Sequence, residues 1–225
     1  MYDIVFISYN EPDADENFAR LKERFPIAKR VHGVKGIHQA HIEAAKRCFT
    51  KMFWIVDGDA RIEDDFDFSH SVSEYDLDVV HVWRSRNPIN DLVYGYGGVK
   101  LFPRKMTINM DTTSTDMTTS ISDKFKAMPE VSNITAFNTD GFSTWKSAFR
   151  ECAKLASKTI RNQNTDETDA RLSIWCGTKG RDQPYGDYAI QGARAGRKFA
   201  IANPDKLNLI NNFDWLKEQF DEQYS

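Results

Sequence analysis

The sequence has few cysteines, no long apolar run and no strong net charge, and each absence removes a class of protein. Its 225 residues include three cysteines, Cys48, Cys152 and Cys176, which lie far apart. An odd, scattered set argues against a disulfide framework or a zinc cluster and fits a reducing compartment. No segment approaches the roughly 18 apolar residues of a membrane span, and no signal peptide opens the chain. We therefore expect a cytoplasmic protein that makes no contact with a membrane.

The composition is that of an ordinary soluble globular protein, with 40% hydrophobic and 28% charged residues. The formal net charge of −3 gives no global attraction to nucleic acid. Any contact with nucleic acid would therefore require a local basic patch. The length predicts a single domain with a large core.

The first part of the chain alternates strand and helix patterns. Short apolar segments predict strands at residues 4–8, 31–34 and 52–56. Apolar residues three and four apart predict helices at 13–25 and 38–50. Strands that alternate with helices are typical of a parallel sheet covered by helices, so the fold class is predicted to be α/β.

The rest of the chain gives a less regular pattern. Strands are predicted at residues 77–84 and 99–102, and a mobile loop at 107–122, which is rich in Thr, Ser, Asp and Met. A strong helix is predicted at 144–160, and a polar loop at 162–169. A helix at 188–195 would end at Gly196 and lead to a strand at 198–202, and a last helix is predicted at 213–220.

The most informative motif is Asp57-Gly58-Asp59, which directly follows the apolar run at residues 53–56. A buried strand that ends in two carboxylates brings hard oxygen ligands to the edge of a sheet, where ligands bind in open α/β folds. Mg²⁺ and Mn²⁺ prefer oxygen ligands, and Mg²⁺ commonly combines one or two carboxylates with substrate phosphates. We expect Asp57 and Asp59 to hold such a metal, with Gly58 permitting close approach of a ligand. The alternative is an ordinary Asp-Gly turn.

Four segments, in the correct order, resemble the GT-A glycosyltransferases, especially the large family of inverting nucleotide-sugar enzymes. Residues 4–11 look like the first strand and its Tyr-Asn-Glu turn, and residues 36–59 like the helix and strand that lead to the Asp-x-Asp metal motif. Gly97-Gly98 resembles the glycine-rich acceptor loop. Residues 186–200 look like an acidic residue that opens a helix, followed by an Ala-Gly stop and a returning strand.

The resemblance implies a GT-A-like fold, which is a mainly parallel twisted sheet with helices on both faces. It implies one domain over residues 1–225, with a nucleotide-sugar and metal half at 1–105 and an acceptor half at 106–225. The implied activity is metal-dependent transfer of a sugar from a nucleoside diphosphate sugar, with a UDP-sugar as the expected donor and Mn²⁺ or Mg²⁺ as the cofactor.

The resemblance also assigns residues to the donor. The turn Tyr9-Asn10-Glu11 would supply the slot for the nucleotide base, and Lys35 or His38 would reach the nucleotide. An ordinary strand-to-helix turn is the alternative for residues 9–11. His38 and His41 would share one helix face, but a zinc site would need a third ligand that the sequence does not show.

The catalytic base is assigned in the same way. In such enzymes an acidic residue at the start of the helix near residue 186 removes the proton of the acceptor hydroxyl, which points to Asp187. A carboxylate is also favoured at a helix N-terminus by the macrodipole. The family usually has Glu-Asp where this chain has Gly186-Asp187, so Asp140, which precedes the long helix, is the reserve candidate.

A basic ridge on the helix predicted at 144–160 is the one internal indication of an acceptor. Its members, spaced by four, are Lys146, Arg150, Lys154 and Lys158. Such a row could follow a phosphate backbone, and a solvated helix face is the alternative.

The chain resembles the phage-encoded enzymes, including arabinosyltransferases, that glycosylate hydroxymethylated cytosine in DNA. Double-stranded DNA is then the acceptor, the host cytoplasm the location, and Tyr94, Tyr96 and Tyr185 candidates for contacts with bases.

Three other functions remain open at this point. A glycosyltransferase acting on a glycan or a small molecule would show no salt-dependent DNA binding. A nucleotidyltransferase would use the same aspartates but release pyrophosphate. A non-catalytic nucleic-acid-binding module would bind DNA without affinity for UDP-type ligands.

Overall fold

The computed structural model of the chain describes residues 1–95, 97–113, 117–158 and 164–225. The chain divides into two compact units. Unit 1 comprises Met1–Arg86 and Val93–Ala136, and unit 2 comprises Asn87–Leu92 and Phe137–Ser225. The predicted halves at 1–105 and 106–225 of a single domain stay a prediction.

Unit 1 combines a sheet with short helices. In chain order its elements are β1 (Asp3–Ser8), α1 (Ala14–Arg24), β2 (Lys29–His32), α2 (Ile37–Lys46), β3 (Met52–Asp57), β4 (Ala60–Ile62), a 3₁₀ turn (Glu74–Asp76), β5 (Val80–Arg86), β6 (Val93–Tyr94), β7 (Val99–Pro103), α3 (Arg104–Ile108), α4 (Met117–Ile121) and β8 (Phe125–Thr135).

The described strands of unit 1 form one sheet in the order β2-β1-β3-β7-β5-β8-β4, with β6 paired to β5. The pairs β1–β2, β1–β3 and β5–β8 are parallel, whereas β3–β7, β5–β7, β4–β8 and β5–β6 are antiparallel. The predicted α/β class is therefore confirmed, and the sheet is mixed. The parallel β2-β1-β3 part is the βαβαβ order that the sequence predicts.

Helices cover both faces of the sheet. Successive side chains of a strand point to opposite faces, and the apolar strands therefore place apolar side chains on both faces, where helices pack against them. Ile4 and Phe6 of β1 pack on one side in a cluster that includes Leu21 of α1. Val5 points to the other side, where its cluster includes Ile42 of α2 and residues of α4. No helix in the described part of the chain has the length and apolar character to cross a membrane.

Unit 2 is helical. Its elements are α5 (Gly141–Ser157), α6 (Thr165–Cys176), α7 (Gly186–Ala202), a 3₁₀ segment (Pro204–Asn211) and α8 (Phe213–Tyr224). Trp145 and Phe149 of α5 form the core with Ala200 of α7 and Leu216 of α8. The helix predicted at 213–220 is confirmed, and the one predicted at 144–160 is observed as Gly141–Ser157. Residues 159 and 160 of that prediction lie outside the described residues.

The strand predicted at 198–202 is wrong, because α7 continues to Ala202. Gly196 does not end a helix there. It lies inside α7, where a Cβ atom would overlap the carbonyl oxygen of Phe149, and a Cβ at Gly192 would overlap that of Trp145. The two glycines therefore allow α7 to pack closely against α5. The family-like pattern of a helix stop and a returning strand is thus not what these residues form.

Two predicted loops contain helix. The polar loop at 162–169 is corrected by α6, which begins at Thr165 because the side chain of Asn164 accepts a hydrogen bond from the Glu167 N–H. The segment at 107–122 contains the end of α3 and the whole of α4. Residues 114–116 and 162–163 lie outside the described residues, and the mobility predicted for 107–122 stays a prediction.

The longest strand, β8, has no counterpart in the prediction. It contains Pro129, which sequence analysis would exclude from a central strand. The register of β8 against β5 shifts between Ala127 and Val131, where the pairing moves from Val82 to Arg84. The proline lies at this irregularity, where no regular ladder hydrogen bond is required of it.

Candidate functional site

Asp57 is the last residue of β3, and it lies beside the end of β1. In the parallel β1–β3 pair Ile7 stands opposite Asp57, so the residues that follow both strands leave the sheet at the same edge. The backbone N–H of Asp57 donates to the carbonyl of Gly98 at 2.9 Å. The fold thus brings the Asp57-Gly58-Asp59 motif and the turn after β1 to one edge of unit 1.

Lys100 of β7 binds Asp57. Its Nζ lies 2.9 Å from Asp57 Oδ2, and only 10% of the lysine side chain is exposed, against 35% for the aspartate. The pairing follows from the antiparallel β3–β7 register, in which Ile55 stands opposite Lys100. Lys100 was not among the predicted site residues, although it is the single charged residue in the apolar strand Val99–Pro103.

Gly58 is closely surrounded. Its carbonyl accepts a hydrogen bond from Asn17 Nδ2 at 3.1 Å. A Cβ atom at this position would lie 2.7 Å from Glu11 Oε2 and 3.1 Å from Ser8 Cβ. The carboxylate of Glu11 therefore packs directly against the backbone between the two aspartates.

Asp59 is half-buried and carries the most perturbed carboxyl group of the site. Burial and the negative charges of Asp57 and Glu11 raise its pKa from 3.8 to about 7, and Lys100 offsets part of this effect. Its backbone carbonyl accepts from the Ala136 N–H at 2.8 Å, which fixes the main chain. Asp57, Asp59 and Glu11 thus form a cluster of negative charge in which Lys100 interacts with the two aspartates.

That cluster suits a divalent cation. The negative charges around Asp59 disfavour its ionised form. A cation bound nearby would favour that form, because opposite charges attract. No three His, Cys, Asp or Glu side chains in the described ranges lie in an arrangement that holds a metal ion alone. The donor set therefore fits an ion held by Asp57 and Asp59 together with substrate phosphate oxygens and water, as Mg²⁺ sites often are.

The turn after β1 is held by its own acidic residue. Glu11 Oε2 accepts from the Tyr9 N–H at 2.7 Å, and the Glu11 carbonyl accepts from the Ala14 N–H at the start of α1. Tyr9 is 47% exposed, and Asn10 is also exposed. The turn thus presents an aromatic ring and an amide to solvent.

The predicted nucleotide contacts, Lys35 before α2 and His38 on α2, differ in their surroundings from each other and from His41. Lys35 is exposed, His38 is half-buried and His41 is buried. The Nε2 atoms of both histidines are buried and have no hydrogen-bond partner within the described ranges. Burial and the charge of Lys100 lower the pKa of His41 to about 4, so that ring is neutral. His41 Nδ1 lies 2.8 Å from the Ile37 carbonyl, which makes it a core histidine.

The two candidate bases belong to unit 2. Asp187 lies in the first turn of α7, where the sequence places it, and its exposed carboxylate lies 2.9 Å from Arg181 Nε. Asp140 is the N-cap of α5 and accepts from the Ser143 N–H at 2.8 Å. Burial raises the pKa of Asp140, but its hydrogen bonds, chiefly from Ser143, outweigh this and hold the pKa below its usual range. Asp140 thus already has a structural role.

The basic ridge is partly involved in packing within unit 2. Lys146 Nζ lies 4.7 Å from the centre of the Phe213 ring, and the Arg150 guanidinium lies 5.2 Å from it. Arg150 Nε also donates to the Ile210 carbonyl at 2.8 Å. Lys154 and Lys158 are exposed. Two of the four cations therefore help to hold the segment that leads into α8.

The three tyrosines proposed for base contacts do not form one group. Tyr94 is buried in β6, whereas Tyr185 is exposed and precedes α7 with a φ of 61°. Tyr96 lies outside the described residues. The buried position of Tyr94 gives it a packing role.

A cavity of about 660 Å³ lies elsewhere in unit 1. Its lining includes Trp54, Phe66, Trp83 and Glu130, and it includes none of the predicted site residues. Trp83 Nε1 donates to Glu130 Oε2 at 2.8 Å.

No known protein family matches the sequence, and no curated protein is significantly similar to it. Several solved structures are similar to parts of the fold, including the following two. The structure of HddC from Yersinia pseudotuberculosis is 12% identical, with a TM-score of 0.38 over 57% of this chain and 90% of that chain. The mannosyltransferase PcManGT from Pyrobaculum calidifontis, in complex with GDP-Man and Mn²⁺, is 14% identical, with a TM-score of 0.44 over 89% and 75% of the two chains. Similarity of this extent carries no argument about activity.

Proposed function

We propose that the chain is a glycosyltransferase whose unit 1 binds a nucleoside diphosphate sugar together with Mn²⁺ or Mg²⁺. The observation that carries the proposal is the group of three carboxyl residues, Glu11, Asp57 and Asp59, at the edge where β1 and β3 end. Burial, together with the negative charges of Asp57 and Glu11, raises the pKa of Asp59 to about 7, and a bound divalent cation would favour its ionised form.

Each residue of the proposed diphosphate site has a different role. Asp57 and Asp59 would hold the metal, which when bound neutralises the leaving diphosphate as a Lewis acid. Glu11 adds negative charge beside Gly58 and orders the turn through its bond to the Tyr9 N–H. Lys100 positions the Asp57 carboxylate through their 2.9 Å contact.

The turn at residues 9–11 is the proposed binding site for the base of the nucleotide sugar. Tyr9 offers a ring on which a flat base can stack, and Asn10 offers both a donor and an acceptor. Lys35 and His38 are the proposed contacts to the rest of the nucleotide, and the unpartnered Nε2 of His38 is consistent with such a role. A uridine nucleotide is the proposed donor.

The acceptor half of the reaction is proposed on the sequence resemblance. Asp187 is the proposed base, because its exposed carboxylate opens α7 as the resemblance requires. Asp140 remains the reserve, although it serves as a helix cap. The hydroxymethyl group of modified cytosine in duplex DNA, as in phage genomes, is the proposed acceptor, with Lys154 and Lys158 as exposed members of the basic ridge.

The first experiment tests the donor site by thermal unfolding with a panel of nucleoside diphosphates, with and without Mn²⁺. A ligand that binds the native state raises its stability by mass action. We expect a metal-dependent rise for one nucleotide in the natural protein and none in the Asp57→Asn/Asp59→Asn double variant. Asp64→Asn, at an exposed position of the same unit, is the matched control and should keep the rise.

The outcomes separate the candidate functions. No rise with any nucleotide would contradict the proposal and leave Asp57-Gly58-Asp59 as a turn. If a donor is found, release of a nucleoside diphosphate supports sugar transfer, whereas release of pyrophosphate indicates a nucleotidyltransferase. A DNA acceptor predicts DNA binding that weakens with salt. Binding to a glycan or small molecule alone would overturn that part of the proposal.

A further inference from the structure

The cavity of about 660 Å³ in unit 1 takes no part in the proposed donor site. Every residue of its lining belongs to unit 1 and to the described ranges. Small-molecule sites in proteins have volumes of roughly 300–1,000 Å³, so the cavity is large enough for a ligand of that kind.

The lining of this cavity is acidic. It includes four carboxylates, which belong to Glu63, Asp65, Asp67 and Glu130, and the only cation of the described lining is Arg86. Arg86 Nε lies 3.6 Å from Glu63 Oε1, so that one carboxylate is already paired. The lining therefore keeps an excess of negative charge, and it favours a positively charged ligand.

The carboxylates of the cavity do not converge on one point. In the described ranges no three His, Cys, Asp or Glu side chains are placed to hold a metal ion together. The Glu130 carboxylate is held where it is, because its Oε2 accepts a hydrogen bond from Trp83 Nε1 at 2.8 Å. Separated carboxylates match a ligand that carries several separate positive groups better than they match a single ion.

One wall of the cavity is fixed by Arg24 of α1. Its guanidinium donates to the backbone carbonyls of Glu63, Asp64 and Phe66 at 3.0, 2.8 and 2.9 Å. Glu63 and Phe66 both belong to the lining. Because a wall that is already ordered loses less conformational entropy on binding, this cavity is prepared for a ligand.

Aromatic residues form the rest of the cavity wall. The ring centroids of Trp54 and Trp83 are 4.5 Å apart, and the Phe66 ring stands edge-on to both at 5.9 and 6.0 Å. Trp54 is fully buried, and its Nε1 has no hydrogen-bond partner among the described residues. An unsatisfied buried donor costs free energy, and an oxygen atom of a bound molecule is a suitable acceptor for it.

We propose that this cavity binds a small organic amine that carries several ammonium groups and hydroxyl oxygens, as aminocyclitols do. The ammonium groups pair with the carboxylates of Asp65, Asp67 and Glu130. A hydroxyl oxygen accepts from Trp54 Nε1, and the apolar face of the ligand contacts the half-buried ring of Phe66. This inference rests on unit 1 alone and does not depend on the proposed glycosyl transfer.

The test is calorimetric titration of the full chain with three matched ring compounds near neutral pH. The first, 2-deoxystreptamine, has both ammonium and hydroxyl groups, myo-inositol has hydroxyl groups alone, and cis-1,3-diaminocyclohexane has ammonium groups alone. We expect myo-inositol to bind at least about tenfold more weakly than 2-deoxystreptamine, because it lacks the charges. The diamine without hydroxyl groups should bind about threefold more weakly, because it offers no oxygen acceptor.

A double variant tests the carboxylates. Asp65→Asn/Glu130→Gln removes two charges at exposed positions, and the new amide oxygen can still accept from Trp83 Nε1. It should weaken the binding of 2-deoxystreptamine about tenfold. Asp64→Asn is the matched control, because Asp64 is exposed and adjacent in sequence but does not belong to the lining. It should leave the affinity unchanged.

The indole N–H signals in a two-dimensional NMR spectrum locate the bound amine. The chain has five tryptophans, of which Trp54 and Trp83 line the cavity, whereas Trp145, Trp175 and Trp215 belong to unit 2. We expect 2-deoxystreptamine to shift the signals of the first two and to leave the other three in place.

The binding should also be independent of the donor site. The Asp57→Asn/Asp59→Asn variant should bind 2-deoxystreptamine as the natural protein does, because neither aspartate lines the cavity. The proposal is overturned by myo-inositol or the diamine binding as tightly as 2-deoxystreptamine. It is also overturned by an unchanged affinity in Asp65→Asn/Glu130→Gln, by indole shifts confined to unit 2, or by no binding at all.

Discussion

Lys100 Nζ lies 2.9 Å from Asp57 Oδ2, so a largely buried ammonium group neutralises one of the carboxylates that we assign to the metal. A divalent cation bound there meets the positive charge of Lys100 at short range, which opposes its binding. A diphosphate brings negative charge that both cations attract. We therefore expect the pair to favour joint binding of metal and nucleotide over binding of the metal alone.

The first prediction is that Lys100→Met tightens the binding of Mn²⁺ alone by about tenfold, because repulsion by a nearby unit charge is removed. The same variant should bind a nucleoside diphosphate more weakly in the presence of Mn²⁺. Titration followed by the electron paramagnetic resonance signal of free Mn²⁺ measures the first effect, and calorimetry measures the second.

Lys51→Met is the matched control, because Lys51 lies in the same unit but pairs with Glu74 at an exposed position. It should leave both affinities unchanged. Equal Mn²⁺ affinity in Lys100→Met and the natural protein would show that the metal, if bound, does not lie at Asp57.

The second prediction concerns the close packing of α7 on α5. Gly196→Ala should destabilise unit 2 by about 2–4 kcal/mol, because its Cβ would overlap the backbone carbonyl of Phe149 and the helices would have to separate. Urea unfolding measures the loss. Gly95→Ala is the control, since a Cβ there meets no atom within 4 Å.

A small effect at Gly196 would contradict this packing. Inside a helix that is not closely packed, alanine is favoured over glycine, so the cost measured in Gly196→Ala reports the contact with the Phe149 backbone.

Gly196 illustrates why unit 2 was harder to predict than unit 1. The βαβαβ start was predicted correctly because its strands are short apolar runs, separated by helices with a clear period. In α7, by contrast, the glycines resemble stop signals when they are considered along the sequence alone. These glycines are needed because α5 packs closely against α7, and the sequence alone does not show that the two helices are neighbours.

The candidate site shows the same division. Asp57, Gly58 and Asp59 follow directly from one strand and could be placed at the sheet edge from local pattern. Lys100 reaches Asp57 only through the antiparallel β3–β7 pairing. Local residue spacing does not reveal this contact.

The third prediction concerns Arg150, which we expect to stabilise unit 2 more than it serves any ligand. Arg150→Met removes the bond to the Ile210 carbonyl and the contact with the Phe213 ring, and should cost about 1–2 kcal/mol. Urea unfolding measures the loss. Lys198→Met, at an exposed position on α7, should change the free energy of unfolding little. An unchanged stability in Arg150→Met would return this residue to the predicted DNA-binding ridge.

The last prediction concerns Asp3, which fixes the turn that leads into β3. Its carboxylate accepts hydrogen bonds from Lys29 Nζ at 2.6 Å and from the N–H groups of Phe49 and Thr50 at 2.6 and 3.0 Å. Burial raises the pKa of Asp3, but the bonds from Lys29 and the turn outweigh it and lower the pKa to about 2. The folded state therefore holds the ionised form more strongly than the unfolded chain does.

A lowered pKa fixes the direction of the pH effect. Above the unfolded pKa near 3.8 the contribution of Asp3 is complete, and it is lost as the pH falls towards about 2, where the folded carboxylate takes up a proton. We expect Asp3→Asn to lower the free energy of unfolding by about 2 kcal/mol near neutral pH. The difference from the natural protein should shrink as the pH falls below about 4.

Glu16→Gln, which breaks an exposed pair with Arg20, should have little effect. A difference that stays constant from neutral to acid pH in urea unfolding would show that Asp3 acts through its shape and not through its charge.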